Sequence, residues 1–243
     1  TNFEILKYTY AHKGLAAGSL AEASWFFSTG CRKETSHTHD AQISMLPTCG
    51  GPSLWTENLN YTDFTPENWD LETMFHVEKP SGMLLAALQQ PFSEGEVTLG
   101  GLEPWAAPKI EHNYLADGTG DMEALIRICL EAVELAHTND FASIVVPEHC
   151  VRESGPHSGI HSVRLWEEWA KAYATTLYHP TSTCRIGDVV DEGCGVIGTS
   201  GLRVADASVF VNITSGNTMA PVVMVGEKVA NMIARTHGLA LQA

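Results

Sequence analysis

Ten residues in the last third of the chain place an imidazole among small hydroxyl side chains: Tyr178-His179-Pro180-Thr181-Ser182-Thr183-Cys184-Arg185-Ile186-Gly187. Pro180 disfavours helical geometry at the residue before it, so His179 is predicted to stand outside a helix. An imidazole titrates near neutrality, and such a position suits a general base. The alternative is a histidine that caps a helix C-terminus, which the local pattern alone favours.

Three amphipathic helices are predicted around this segment. Apolar residues recur at helical spacing over Asp121–His137, with Asp121 as a possible cap. A second helix follows Ser162, a candidate N-cap, continues its apolar stripe to Leu177 and leads to the imidazole. A third helix is predicted over about Thr218–His237, with Gly238 at its C-terminal cap.

Short strands separated by glycine and proline predict an antiparallel sheet. Gln42–Pro47 alternates polar and apolar residues, which favours a half-buried strand. Gly95–Gly100 is a short strand between glycines, and Pro108–Glu111 is its expected partner. Leu202–Asp206 is predicted to be a short strand that ends in an acid, whereas residues 1–30 are predicted to be mainly loop.

Composition and charge argue against several classes of protein. The chain has 243 residues, of which 44% are hydrophobic and 18% charged, and this composition is globular. The net charge is −15 and no basic cluster stands out, which argues against a nucleic-acid-binding protein and a binder of anionic lipid. No apolar stretch approaches the ~18 residues that a membrane span needs.

Motifs for metals and nucleotides are weak or absent in the sequence. His37-Thr38-His39-Asp40 has the composition of a metal cluster but lacks further ligands at a known spacing, so no metal site is predicted. We interpret a looser group in the same way: His149, Cys150, His157 and His161. The six cysteines form no C-x-x-C pair, and G-x-S-x-G, Walker A, H-E-x-x-H and G-x-G-x-x-G motifs do not occur.

A second polar segment stands at the predicted start of the last helix: Ser215-Gly216-Asn217-Thr218-Met219-Ala220-Pro221. Backbone N–H groups at a helix start can bind an anion, and Gly216 permits close approach of the backbone. The alternative is an ordinary Ser or Asn cap, which is the commoner case. The local pattern leaves both interpretations open.

Together, the ordered motifs of the C-terminal third resemble the signature of the glucose–methanol–choline (GMC) oxidoreductases. The matching segments are Tyr178–Gly187, Gly201–Ser208, Ser215–Pro221 and Gly226–Lys228. Upstream, the predicted hairpin and Asn113-Tyr114-Leu115 resemble the substrate-domain pattern of the same family. The resemblance extends over most of residues 40–237 and is strongest at the end.

The resemblance implies an α+β fold in two parts. Residues 1–186 would form a substrate-binding domain, an antiparallel sheet with flanking helices. Residues 187–243 would supply the C-terminal strand and helix of an FAD-binding α/β domain. Because the family's G-x-G-x-x-G segment, which holds the ADP half of FAD, does not occur in these residues, we expect that domain to be completed by another chain. That partner, from a cleaved precursor or a separate gene, would carry the N-terminal FAD-binding half.

The resemblance also implies an FAD-dependent alcohol oxidase or dehydrogenase. In this family a histidine removes the hydroxyl proton of a small-molecule alcohol while a hydride passes from the carbinol carbon to flavin N5. His179 matches that base, and Asn217 matches a second catalytic position that is His or Asn in the family. The implied cofactor-binding residues are Asp206, Ala207, Asn217, Thr218 and Met219. No metal is implied.

Three positions depart from the family pattern. Ser182 stands where glycine is usual, and Ile186 stands where methionine is usual. Glu94 stands where a basic residue is common, which disfavours a carboxylate substrate if that position faces the pocket. Three alternatives to alcohol oxidation remain: a flavin-containing lyase such as a hydroxynitrile lyase, a light-driven decarboxylase, and a non-catalytic subunit that completes a partner chain.

Overall fold

A computed structural model describes residues 21, 23–31, 39–46, 83–143 and 162–239. The chain forms two compact units. The first, which we call the sheet unit, comprises Thr1–Leu88 and Met122–Thr175. The second, which we call the loop unit, comprises Gln89–Asp121 and Thr176–Ala243. The predicted boundary at residues 186–187 concerns substrate and cofactor roles, and that assignment stays a prediction.

The sheet unit contains a three-stranded antiparallel sheet with the strand order β1-β2-β3. Its strands are β1 (Ala23–Phe27), β2 (Ala41–Leu46) and β3 (Met83–Leu88). Ile43 of β2 is opposite Trp25 on one side and Ala86 on the other. The antiparallel sheet is therefore confirmed, and β1 is a strand within residues that the sequence predicted to be mainly loop.

Strand β2 is buried on both faces, whereas its alternating pattern predicted a half-buried strand. Ile43 is 2% exposed, and Gln42 and Ser44 on the opposite face are only 4% and 5% exposed. The buried polar groups bond to one another: Gln42 Nε2 donates to Ser44 Oγ at 2.9 Å, and the Ser24 and Ser44 hydroxyls are 2.8 Å apart. Hydrogen bonding to a neighbouring strand thus allows the polar face to be buried.

Helix α1 (Asp121–Ala136) confirms the first predicted helix, and α2 (Asn139–Ala142) is a short helix after it. Ile128 of α1 packs in one core cluster with Ile43 of the sheet. Cys129 packs in a second cluster with Trp166. Burial raises the pKa of the Cys129 thiol to about 12, so this cysteine serves as a core side chain and not as a nucleophile.

Helix α3 (Val163–Tyr173) begins where predicted, because Ser162 Oγ accepts a hydrogen bond from the Leu165 N–H at 3.3 Å. It ends earlier than predicted, at Tyr173 instead of Leu177. Two β-branched residues, Thr175 and Thr176, stand just beyond this end and disfavour helical geometry. His179 is therefore not the last residue of a helix, which removes the capping alternative for its imidazole.

The loop unit has one small hairpin, formed by β4 (Glu96–Thr98) and β5 (Lys109–Glu111). The strands pair antiparallel, as predicted. A Cβ atom on Gly95 would lie 2.0 Å from the carbonyl oxygen of Glu111, and one on Gly100 would lie 1.8 Å from that of Ala107. Both ends of the hairpin therefore require glycine, because no side chain fits in such a close approach.

The loop unit ends in helix α4 (Met219–Thr236), which confirms the third predicted helix. Gly238 adopts a φ of +63°, the left-handed conformation that terminates many helices. A 3₁₀ helix (Ala207–Val209) precedes α4 along the chain. The unit's core is a small cluster of Val190, Cys194, Val209 and Val229. None of the helices in the described parts of the chain is long and apolar enough to cross a membrane.

The predicted strand over Leu202–Asp206 is reduced to a single isolated bridge, between Gly195 and Arg203. Gly201 turns the chain just before it with a φ of +76°. After it, the Asp206 carboxylate accepts a hydrogen bond from the Ser208 N–H and starts the 3₁₀ helix. The segment between these two turns is too short for a regular ladder.

Candidate functional site

Backbone hydrogen bonds fix the segment that follows His179. Three N–H groups within residues 182–186 donate to the three carbonyls of Ala207–Val209, at distances of 3.2, 2.9 and 3.1 Å. The segment carrying the predicted base is thus joined to Ala207, one of the predicted cofactor-binding residues.

The backbone on both sides of His179 adopts a conformation that is uncommon for non-glycine residues. Tyr178 has a φ of +62° and Ser182 a φ of +72°. Left-handed residues other than glycine are held in place by the surrounding structure and cluster at functional sites. Ser182 stands where the resemblance has glycine, so the structure gives the reason for the family's usual residue.

His179 itself is partly buried. This burial lowers the pKa of the imidazole below its usual value of 6.5, because removal from water disfavours the charged form. The ring is therefore mainly neutral at pH 7. A neutral imidazole has one nitrogen free to accept a proton, which is the state that a general base requires.

The Asp206 carboxylate shapes the turn into the 3₁₀ helix. Its Oδ1 accepts hydrogen bonds from the Ser208 N–H at 2.8 Å and from the Ser208 hydroxyl. Val209 at the end of this helix is 1% exposed and anchors the turn in the core of the loop unit. Asp206 is exposed and Ala207 partly buried, and their cofactor role stays a prediction.

Helix α4 begins without a side-chain cap from its N-cap residue. Thr218 is buried, but its side chain accepts no hydrogen bond from the first turn. Asn217 precedes it in an exposed position, and Met219 is 79% exposed. The N–H groups of the first turn are therefore suited to bind a group with negative charge. This donor set fits the flavin-binding role predicted for Asn217, Thr218 and Met219.

The start of α4 and the segment after His179 belong to one packed body. Val229 of α4 and Val209 of the 3₁₀ helix lie in the same core cluster and are 2% and 1% exposed. The 3₁₀ helix in turn bonds to residues 182–186. The structure thus joins the three segments that carry the predicted site, while the convergence of the His179 and Asn217 side chains stays a prediction.

A concavity of about 670 Å³ lies beside the hairpin in the loop unit. It is lined by Glu94, Gly95, Glu96, Glu111, His112 and Asn113. Its size is that of a small-molecule site, and three of its six lining residues are acidic. His179 and Asn217 are not among the lining residues, so the concavity is a feature that the sequence analysis did not predict.

A buried carboxylate holds the base of this hairpin. Asp121 is fully buried and accepts hydrogen bonds from Phe92 N at 2.9 Å, from Ser93 N at 2.8 Å and from Ser93 Oγ at 2.6 Å. Ser93 Oγ in turn accepts from Ala116 N at 2.9 Å. One carboxylate therefore fixes the chain before β4 and after β5. The sequence predicted Asp121 only as a helix cap, because its partners are distant along the chain.

An ion pair joins the hairpin to the segment after His179. Arg185 Nη2 donates to Glu94 Oε1 at 2.9 Å, across 91 residues of sequence. The main-chain carbonyl of Glu94 accepts a further hydrogen bond from Asn113 Nδ2 at 2.9 Å. No local sequence pattern indicates a pair of this separation.

Comparison with known proteins gives one family match. A family model described as GMC oxidoreductase matches residues 91–226. Ecdysone oxidase from Spodoptera littoralis is 30% identical over 244 residues, which cover 95% of this chain and 38% of that protein. Oxygen-dependent choline dehydrogenase from Brucella anthropi is 34% identical over 149 residues, which cover 58% of this chain and 26% of that protein.

A solved structure shares the fold. Formate oxidase from Aspergillus oryzae RIB40, studied for the modification of its FAD, superposes with a TM-score of 0.75 at 22% identity. The match covers 98% of this chain and 42% of the formate oxidase chain. The chain therefore spans about two fifths of the length of the relatives that it matches most completely.

Proposed function

Because the chain belongs to the GMC oxidoreductase family, we propose that it forms part of an FAD-dependent enzyme that oxidises an alcohol to a carbonyl compound. The observation that carries this proposal is the extent of the family match, since residues 91–226 include both His179 and Asn217. Relatives named as an ecdysone oxidase and a choline dehydrogenase also favour oxidation.

When bound, FAD supplies the acceptor for the hydride that leaves the carbinol carbon. We assign the contacts with it to Asp206, Ala207, Asn217, Thr218 and Met219. The uncapped N–H groups at the start of α4 support this assignment, because they favour negative charge on a cofactor placed there.

His179 is the proposed general base. Its lowered pKa keeps the imidazole neutral at pH 7, so it accepts the hydroxyl proton as the carbinol C–H bond breaks. The strained backbone at Tyr178 and Ser182 and the hydrogen bonds of residues 182–186 limit the positions that the ring can take. Such preorganisation favours proton transfer in a fixed geometry.

Asn217 is the proposed partner of the base. Its carboxamide donates a hydrogen bond but carries no charge, so it stabilises a developing alkoxide without competing for the proton. Its place directly before the first turn of α4 puts it beside the N–H groups assigned to the cofactor.

The remainder of the cofactor site is proposed to come from sequence outside these 243 residues. The chain covers 38% of ecdysone oxidase, and the G-x-G-x-x-G motif is absent from its sequence. We propose that the residues holding the ADP half of FAD lie either elsewhere in a longer polypeptide or on a partner chain. Native mass spectrometry tests this, since a folded, FAD-loaded monomer of 26.4 kDa would contradict it.

The test of the function is the absorption spectrum of the purified full-length protein or complex. Under anaerobic conditions in the dark, addition of a panel of alcohols that includes choline and ecdysone should bleach the flavin band. A flavin that stays oxidised with every alcohol would contradict alcohol oxidation and favour a lyase. Absence of flavin from the purified assembly would contradict the proposal more directly.

A further inference from the structure

The loop unit contains an arginine whose charged partner comes from the hairpin. Arg185 Nη2 donates to Glu94 Oε1 at 2.9 Å. The Nε of the same guanidinium is buried and has no hydrogen-bond partner among the described residues. A guanidinium carries five N–H donors in a planar fork that matches a carboxylate. Glu94 therefore occupies a group whose preferred ligand is a carboxylate, and it does not saturate that group.

The Glu94 side chain also forms part of the wall of the concavity. Its side chain is 63% exposed, whereas that of Arg185 is 28% exposed and does not line the concavity. The Glu94 carboxylate thus lies between the concavity and the guanidinium. Removal of this one side chain would open the wall toward Arg185.

Both partners stand on fixed backbone, which distinguishes this pair from an ordinary exposed ion pair. The residues on either side of Arg185 donate backbone hydrogen bonds to the 3₁₀ helix. On the hairpin side, Asn113 holds the Glu94 carbonyl, and the Asp121 carboxylate holds the preceding residue, Ser93. A pair of this kind costs little side-chain entropy to maintain, because its backbone supports do not move.

We propose that Glu94 is a specificity-determining residue for the reaction proposed above. Its carboxylate serves as an internal ligand of Arg185, so a carboxylate substrate finds no free guanidinium. Such a substrate meets the negative charges of Glu94, Glu96 and Glu111 instead, and like charges at short range oppose binding. The concavity therefore admits a neutral substrate in preference to its carboxylate counterpart. The inference rests on the proposed function because Arg185 belongs to the segment that follows His179.

The experiment compares benzyl alcohol with benzoate in the FAD-loaded full-length protein, by titration calorimetry. In the Glu94→Ala variant the dissociation constant of benzoate should fall about 10-fold, the effect of one charge-assisted hydrogen bond. That of benzyl alcohol should change little. Glu94→Gln keeps an acceptor for Arg185 but removes the charge, so it should give a smaller gain in the same direction, and it carries the test if the alanine variant does not fold.

Two control variants make the result specific. Glu96→Ala removes the same charge from the same concavity without uncovering Arg185, and should leave benzoate binding nearly unchanged. The double variant Glu94→Ala/Arg185→Gln should lose the gain. Equal gains in Glu94→Ala and Glu96→Ala, or a gain that persists in the double variant, would overturn the inference. Because binding is measured without turnover, the result stands even if no alcohol is oxidised.

Discussion

The two units of the chain are stabilised in different ways. The sheet unit buries regular strands and helices against one another, and fully buried side chains such as Ile43 and Ile128 lie at its centre. The loop unit has a small apolar core and relies on side chains that bond to backbone groups, as Asp121 does at the hairpin and Asp206 at the 3₁₀ helix.

This difference explains where chemistry is possible. A closely packed apolar core leaves no room for a substrate, and its side chains have no proton to exchange. Loops fixed by polar contacts can expose an imidazole and the N–H groups of a helix start while holding their backbone in place. Every predicted site residue lies in the loop unit: His179, Asp206, Ala207, Asn217, Thr218 and Met219.

The largest expected effect is on catalysis, from His179→Ala. Loss of the proposed base should lower kcat ~1,000-fold in steady-state assays with an oxidisable alcohol, while the flavin stays bound. His112→Ala, which changes an exposed histidine of the same unit, is the matched control and should leave kcat within about threefold of wild type. Turnover that survives in the His179 variant with assembly retained would favour the non-catalytic subunit.

The next effect tests the polar scaffold of the loop unit. Asp121→Ala leaves the N–H groups of Phe92 and Ser93 without their acceptor, which should cost about 3 kcal/mol of unfolding free energy. Chemical denaturation measures this cost. Asp117→Ala, at an exposed carboxylate nearby, should change stability by less than about 0.5 kcal/mol. Equal effects of the two substitutions would remove the contrast between the units.

A smaller effect is expected in the core of the sheet unit. Ile128 is fully buried, and its replacement by valine removes one methyl group at a cost of about 1 kcal/mol. The flavin reduction rate of the folded variant should not change, because no site residue lies in that unit. A slower reduction rate would show that the two units do not divide stability and chemistry in this way.

The smallest effect concerns pH. The pKa of His179 is lowered below 6.5 by burial, so the base is already deprotonated at pH 7. The value of kcat/KM should therefore be flat near neutrality and fall as the pH drops through this lowered pKa, where the ring gains a proton and loses its function. A pH–rate profile with its acid inflection above 6.5 would contradict the assignment.

Local patterns in the sequence predicted much of the regular structure. The periodicity of α1 and α4, the Ser162 cap and the glycines at both ends of the hairpin each act within a few residues, so they can be read along the chain. The end of α3 was predicted too late, because the apolar stripe continues to Leu177 while the two threonines end the helix.

Long-range contacts could not be predicted in this way. The Glu94–Arg185 pair and the bonds of Asp121 to Ser93 join residues 91 and 28 positions apart, and no local pattern records them. His179 was noticed from its own neighbourhood, beside Pro180. Asn217 was assigned a catalytic role only through the family resemblance, since an asparagine before a helix is otherwise an ordinary cap.

The most direct test of the central claim is a crystal structure of the FAD-loaded protein with a bound alcohol analogue. The account predicts that a nitrogen of His179 and the amide nitrogen of Asn217 both lie ~3 Å from the same ligand oxygen, beside the flavin ring. Side chains that lie on opposite faces of the loop unit, or a ligand held away from both of them, would contradict it.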